Sequence, residues 1–132
     1  MIEMKYIALL VLLVGLLLAL LGCSAIKETE VREVDIRGNI VEVHHIDTPG
    51  SESGAILGAI LIEGAIEADT KYDRASITIT RETDIYEQRG QERFQVAFDD
   101  VAVGQRAEVR FAGPVRETYP FQGTAAELVI LK

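Results

Sequence analysis

Ala75-Ser76-Ile77-Thr78-Ile79-Thr80 is the stretch on which the fold turns. Its apolar side chains fall on odd positions and its hydroxyls on even ones, the period of a strand with one face buried and the other in water. The same alternation returns in Arg106-Ala107-Glu108-Val109-Arg110-Phe111-Ala112, where Ala107, Val109 and Phe111 are predicted to face inward and Arg106, Glu108 and Arg110 outward. Gly113-Pro114 closes that second strand.

Upstream, residues 55–62 form a nearly continuous apolar run, predicted as a strand, with Gly58 allowing close backbone approach or the coiling a barrel corner needs. A polar loop, Asp47-Thr-Pro-Gly-Ser-Glu-Ser-Gly54, precedes it. The first strand is predicted over residues 34–46. Ile36 and Ile40 lie on one parity there and Val41 and Val43 on the other, so the buried face must switch, and a bulge or bend is expected near Gly38 and Asn39. Residues 63–74 are mixed and read as irregular. Downstream, 84–88 and 93–98 flank Arg89-Gly90 as a hairpin. Residues 99–105 read as a turn, and a loop through Tyr119-Pro120 leads to a last strand at 124–131. Five or six strands without an amphipathic helix imply an all-β domain, a small closed barrel, because closure removes exposed edges.

Before this domain the composition changes sharply. Residues 7–21 contain only Ala, Val, Ile, Leu and Gly, after Lys5 and a weakly charged start. That is the pattern of an export signal. At 15 residues the run is shorter than the roughly 20 a helix needs to span a bilayer. Leu20-Leu21-Gly22-Cys23-Ser24 resembles the prokaryotic lipobox, with leucine three before the cysteine and a small residue directly before it. The resemblance implies cleavage before Cys23 and a diacylglycerol on its thiol, two acyl chains being enough for stable anchoring at about 0.8 kcal/mol per buried CH₂. The expected organisation is a signal over 1–22, a lipidated cysteine and polar tether over 23–33, and a barrel over 34–132. The alternative is an uncleaved N-terminal anchor helix with an unmodified Cys23. Either places the domain on the extracytoplasmic face of a cell membrane.

From Gly38 onward the order of residues resembles the YobA-like domain, a family of small, mostly bacterial lipoproteins. The residues that carry the likeness are Ile77-Thr78-Ile79 with Thr83-Asp84-Ile85, Val103-Gly104-Gln105, Val109-x-Phe111-x-Gly113-Pro114-Val115, Thr118-Tyr119-Pro120 and Ala125. The resemblance implies a barrel of the oligonucleotide/oligosaccharide-binding (OB) type and membrane anchoring. It carries over no catalytic residues, because the family has no assigned activity.

Charge narrows the partners. Thirteen Lys and Arg against 21 Asp and Glu give a net charge of −8, the wrong sign for a phosphate-neutralising surface, so no nucleic-acid partner is expected. Cys23 is the only cysteine, which excludes an internal disulfide, a Cys-Cys zinc pair and a redox Cys-x-x-Cys motif. The two histidines, His44 and His45, are neighbours on a strand and point to opposite faces. Glu42 with His44, or His45 with Asp47, shares a face, yet two ligands leave a zinc or copper site incomplete. No metal or cofactor is expected. Ser51 and Ser53 sit in a loop rather than on a nucleophile elbow, and Asp99-Asp100 read as a turn cap. Aromatic residues are the usual ligand platforms of such barrels. Tyr86, Tyr119 and Phe121 are the candidates, with Tyr119 and Phe121 bracketing Pro120 to line a groove or to plug the barrel end. The expected function is a non-enzymatic envelope lipoprotein that binds a glycan, peptide or protein. A metal-dependent or hydrolytic enzyme using His44 or His45, and a structural subunit of an envelope complex, are the alternatives.

Overall fold

Seven strands follow residue 33: β1 (Ile36–His45), β2 (Ile56–Glu63), β3 (Arg74–Thr80), β4 (Asp84–Arg89), β5 (Glu92–Gln95), β6 (Arg106–Arg116) and β7 (Phe121–Leu131). The computed structural model describes residues 4–21 and 33–132, without the side chains of residues 17–21. The chain divides into one unit over Met1–Val31 and another over Arg32–Lys132.

In the first unit, helix α1 (Met4–Leu21) is built almost wholly from Leu, Ala, Val and Ile, of which Leu and Ala are strong helix formers. Its side chains over residues 4–16 are exposed. Among the described residues no helix is long and apolar enough to cross a membrane. Cys23 and most of the expected tether lie outside the described residues.

In the second unit the sheet order is β3-β2-β1-β6-β7-β4-β5, and β3 also pairs with β7. That extra pairing closes five strands, β1, β2, β3, β6 and β7, into a barrel. All neighbours in it are antiparallel except β3 and β7, which run parallel with Ala75 beside Phe121 and Thr78 beside Thr124. It is an all-β small barrel, as the alternating stretches led one to expect, with the OB-like form that the family resemblance implied. The inward residues form one core of Ile36, Ile40, Ile60, Ile62, Ile77, Ile79, Val109, Leu128 and Ile130, all at most 1% exposed. Each such side chain contributes about 1.5–3 kcal/mol by leaving water. The parity expected of β3 and β6 holds residue by residue, with Ala75, Ile77, Ile79, Ala107, Val109 and Phe111 buried.

The hairpin β4–β5 extends the sheet past the barrel. Beyond Ala125, β7 exchanges β3 for β4, again in parallel, with Tyr86 beside Val129. The corner between β3 and β4 is held by Thr83, whose Oγ1 donates to the Ala125 carbonyl at 2.7 Å and accepts from the Thr80 N–H at 3.0 Å. Gly90 has φ +61°, the conformation a two-residue hairpin loop demands at its first position, and it turns the chain between Arg89 and Glu92.

Several local readings are corrected. Gly113-Pro114 does not close β6, which runs on to Arg116 with its register against β7 shifted there, and β7 begins at Phe121 rather than at residue 124. The switch of buried face in β1 lies between Ile40 and Glu42, where the register slips by one residue, and not at Gly38 and Asn39. Gly38 serves another purpose: a Cβ there would overlap the Glu63 carbonyl, and one on Gly64 would overlap the Arg37 carbonyl, so the two glycines let the β2–β3 connection lie against β1. Finally, β5 ends at Gln95, and Phe98 leaves the expected strand to open a 3₁₀ turn over Phe98–Asp100 and plug the core.

Gly58 of β2 is equally constrained, since a Cβ on it would overlap the His44 carbonyl and stand 2.7 Å from the Phe98 ring. Gly58→Ala is expected to destabilise the barrel by about 1–3 kcal/mol, as over-packing does. Denaturant unfolding of the full chain in mild detergent, followed by circular dichroism, measures it; an unchanged midpoint would contradict the packing described.

Candidate functional site

Strands β1, β3 and β7 run one way and β2 and β6 the other, so the connections sort to two ends of the barrel. Residues 46–55 and 81–105 lie at one end. Residues 64–73 and 117–120 lie at the other, where residues 33–35 enter the barrel.

The entry end is aromatic. Tyr72 packs against Phe121 with ring centroids 4.6 Å apart and against the edge of Phe111 at 5.6 Å, and Tyr72 and Phe121 both pack on the core. Phe121 thus plugs the barrel. Tyr119, before the cis Tyr119-Pro120 bond, stands edge-on to Phe121 at 6.1 Å, is 67% exposed, and donates its hydroxyl to Asp73 at 3.3 Å. Tyr86 does not join this group. It lies beside Val129, eight residues along β7 from Phe121, up to roughly 26 Å away at 3.3 Å per residue.

Between the ends, on the outer face, one guanidinium gathers three carboxylates. Arg37 sits opposite Glu108 in the β1–β6 register, and its Nε donates to Glu108 at 2.9 Å. Its terminal nitrogens donate to Glu67 at 2.7 Å and to Asp69 at 2.7 and 3.0 Å, both on the β2–β3 connection, while Arg106 reaches Glu67 at 3.2 Å. The hydrogen bonds from Arg37 hold the Asp69 carboxyl below its ordinary range. The cleft of about 200 Å³ beside this cluster is lined mostly by paired charges, Arg37 with Glu108 and Asp69, and Arg93 with Glu127, together with Arg110. It reads as a clasp that fastens the connection to the barrel wall.

The end away from the entry is built differently. A cleft of about 500 Å³ opens there among His45, Ile46, Asp47, Pro49, Leu57, Arg81, Phe98 and Asp99. Two irregularities create it. After the slip at Val41 the inward parity of β1 changes from even to odd, which aims His45 at the Phe98 ring, 4.5 Å between centroids. A second slip, between Ile56 and Gly58, leaves Leu57 outside the β2–β3 register and half-buried against the core. The rim is pinned: the Ile46 N–H donates to the Leu57 carbonyl at 2.9 Å, the Arg81 N–H to Ala55 at 3.0 Å, and the Arg81 Nε to Gly50 at 2.7 Å.

The histidines diverge. His44 faces Glu42 at 3.5 Å in the open, and His45 faces Asp99 at 3.9 Å inside the cleft. Among the described residues no three His, Cys, Asp or Glu side chains group as a metal would require. The candidate residues therefore divide: Tyr119 and Phe121 come together, Tyr86 stands apart, His45 joins a cleft, and Cys23 lies outside the described residues. The alternation of apolar residues pointed to neither Arg81, Leu57 nor Phe98 as cleft residues. A sequence signal existed only for Leu57, next to the glycine of an otherwise unbroken apolar run.

No family model, curated protein or solved structure matches this chain.

The clasp carries a pH dependence. Because Asp69 titrates lower in the folded protein than in the unfolded chain, its contribution is complete above the ordinary carboxylate range and is lost as pH falls through the depressed value. Arg37→Gln is expected to cost about 1.5–3 kcal/mol at neutral pH, chiefly through the half-buried bond to Glu108, with a gap from the parent that narrows below pH 4. Equal losses at pH 7 and pH 2.5 in urea unfolding would contradict the clasp.

Proposed function

We propose that this chain is a lipid-anchored protein of the cell envelope whose barrel is a non-enzymatic binding module. Leu20-Leu21-Gly22-Cys23 carries this reading, standing directly after an apolar export-type run and before a polar stalk. The lipid is needed because a chain with net charge −8 gains nothing from an anionic headgroup surface. The resemblance to the YobA-like lipoproteins belongs to the same proposal.

Binding, rather than catalysis, is supported by what the clefts contain. The larger one has an apolar floor and a few polar groups at its rim, the usual make-up of a ligand site. His45 has the Asp99 carboxylate at 3.9 Å, and there is no hydroxyl nucleophile among the lining residues for it to activate. A peptide, glycan or envelope protein is the proposed class of partner.

Full-length protein made in a lipoprotein-processing bacterium and fed radiolabelled palmitate is expected to take up label. Cys23→Ser is expected to abolish labelling entirely and to retain the uncleaved N-terminus by mass spectrometry. Label persisting in Cys23→Ser, or a bare Cys23 thiol behind an intact first methionine in the parent, would overturn the anchoring.

A further inference from the structure

We infer that the cleft at the His45 end binds the free carboxyl terminus of a peptide whose last side chain is aliphatic. This rests on the reading of the barrel as a binding module and goes further by assigning the site and the chemistry of its ligand.

The cation comes first. Arg81 follows β3 and spends its Nε on the Gly50 carbonyl at 2.7 Å. That bond fixes the root of the guanidinium against residues 46–55. Its two terminal nitrogens have no carboxylate partner among the described residues, as is also true of Arg110 and Arg116 on β6, whereas Arg37, Arg74, Arg89, Arg93 and Arg106 each have one; of the three without a partner, only Arg81 lines this cleft. Arg81 lines the cleft and is exposed, and a planar guanidinium fork is matched to a carboxylate, which it can take in two parallel hydrogen bonds.

The rest of the cleft argues against a bare anion. Asp47 has no hydrogen bond or ion pair among the described residues, and Asp99 is 94% exposed with only His45 near it. A phosphate group would bring two negative charges toward these carboxylates. A peptide end brings one, and it also brings main-chain N–H groups that carboxylates accept well. Acceptors for N–H and a donor fork for the terminus are the two halves of such a recognition site.

The floor supplies the side-chain preference. Ile46 is 45% exposed, Leu57 is half-buried, and Phe98 and Pro49 complete an apolar wall. Covering that wall with an aliphatic residue removes apolar surface on both partners from water, at about 25 cal/mol per Å². The volume of about 500 Å³ falls within the roughly 300–1,000 Å³ of small-ligand pockets and holds two or three residues of a peptide rather than a folded domain. The bonds of residues 46, 55 and 81 to the neighbouring strands hold the rim in place before a ligand arrives, which lowers the ordering cost of binding.

The test uses full-length protein in detergent micelles and three probes: fluorescein-Gly-Gly-Ala-Ala-Leu with a free carboxylate, the same peptide as its carboxamide, and chitotriose. Fluorescence anisotropy is expected to show saturable binding of the acid and at least tenfold weaker binding of the amide. Arg81→Gln is expected to weaken the acid at least tenfold and leave the amide unchanged. Ile46→Ser should weaken both peptides, and Arg116→Gln, an exposed arginine on β6, should change neither. Unfolding midpoints of the variants check that each is folded, and Arg81→Lys, which keeps the charge, should recover part of the loss. Acid and amide binding alike, or Arg116→Gln weakening the acid as much as Arg81→Gln, would overturn the inference. Chitotriose shifting the His45 and Leu57 resonances while neither peptide binds would also overturn it, yet leave the binding reading standing. Failure of all three probes would remove both, without touching the outcome of palmitate labelling.

Discussion

Everything in the second unit depends on the parallel ladder between β3 and β7. Without it the seven strands would form an open sheet with β3 as a free edge, its N–H and C=O groups available to any other chain. With it, Ala75, Ile77 and Ile79 turn inward to meet Ala125, Leu128 and Ile130, and one core serves all five barrel strands. The closure also decides where the chain leaves the barrel. Because β7 continues beyond β3 and takes β4 as its next neighbour, the insertion between β3 and β6 is carried to the His45 end and can lay Phe98 over Gly58.

Departures from regular pairing, rather than the regular pairing itself, give the barrel its chemical character. A closed barrel with unbroken strands would alternate evenly and present two featureless rims. The slip at Val41 turns His45 inward, the slip at Leu57 frees an aliphatic side chain from the sheet register, and the absent side chain of Gly58 admits the Phe98 ring. At the entry end the rings of Tyr72, Phe111 and Phe121 fill the mouth of the barrel. The outer wall is neutralised locally by Arg37, so that among the described residues the charged groups left unanswered include Arg81 and Asp47 in the cleft.

How much of this was legible in advance follows from the range of each interaction. The period-two stretches of β3 and β6 depend on burial of one face and so declare themselves locally; their inward residues agree with expectation one by one. The switch of face in β1 was visible as a change of parity, but the residue that absorbs it was not. Glycine is the obvious suspect, and Gly38 is there for a different reason, the passage of residues 63–64 across the strand. The parallel contact of β3 with β7 joins segments far apart in the chain and leaves no local trace. The same holds for Arg37 with Glu67 and Asp69: residues 64–73 are irregular, as read, but that they are strapped to the wall left no local trace. Phe98 looked like the end of a strand because its neighbours alternate; the core claims it through tertiary packing that overrides the local pattern.

The ladder between β3 and β7 can be observed directly. Backbone nuclear Overhauser contacts in the isotope-labelled full chain should join Ile77 to Gly123 and Thr78 to Thr124, with β3 amides that exchange as slowly as those of β2. The account requires both results. Missing contacts, together with outward β3 amides exchanging at the rate of a free edge, would contradict it.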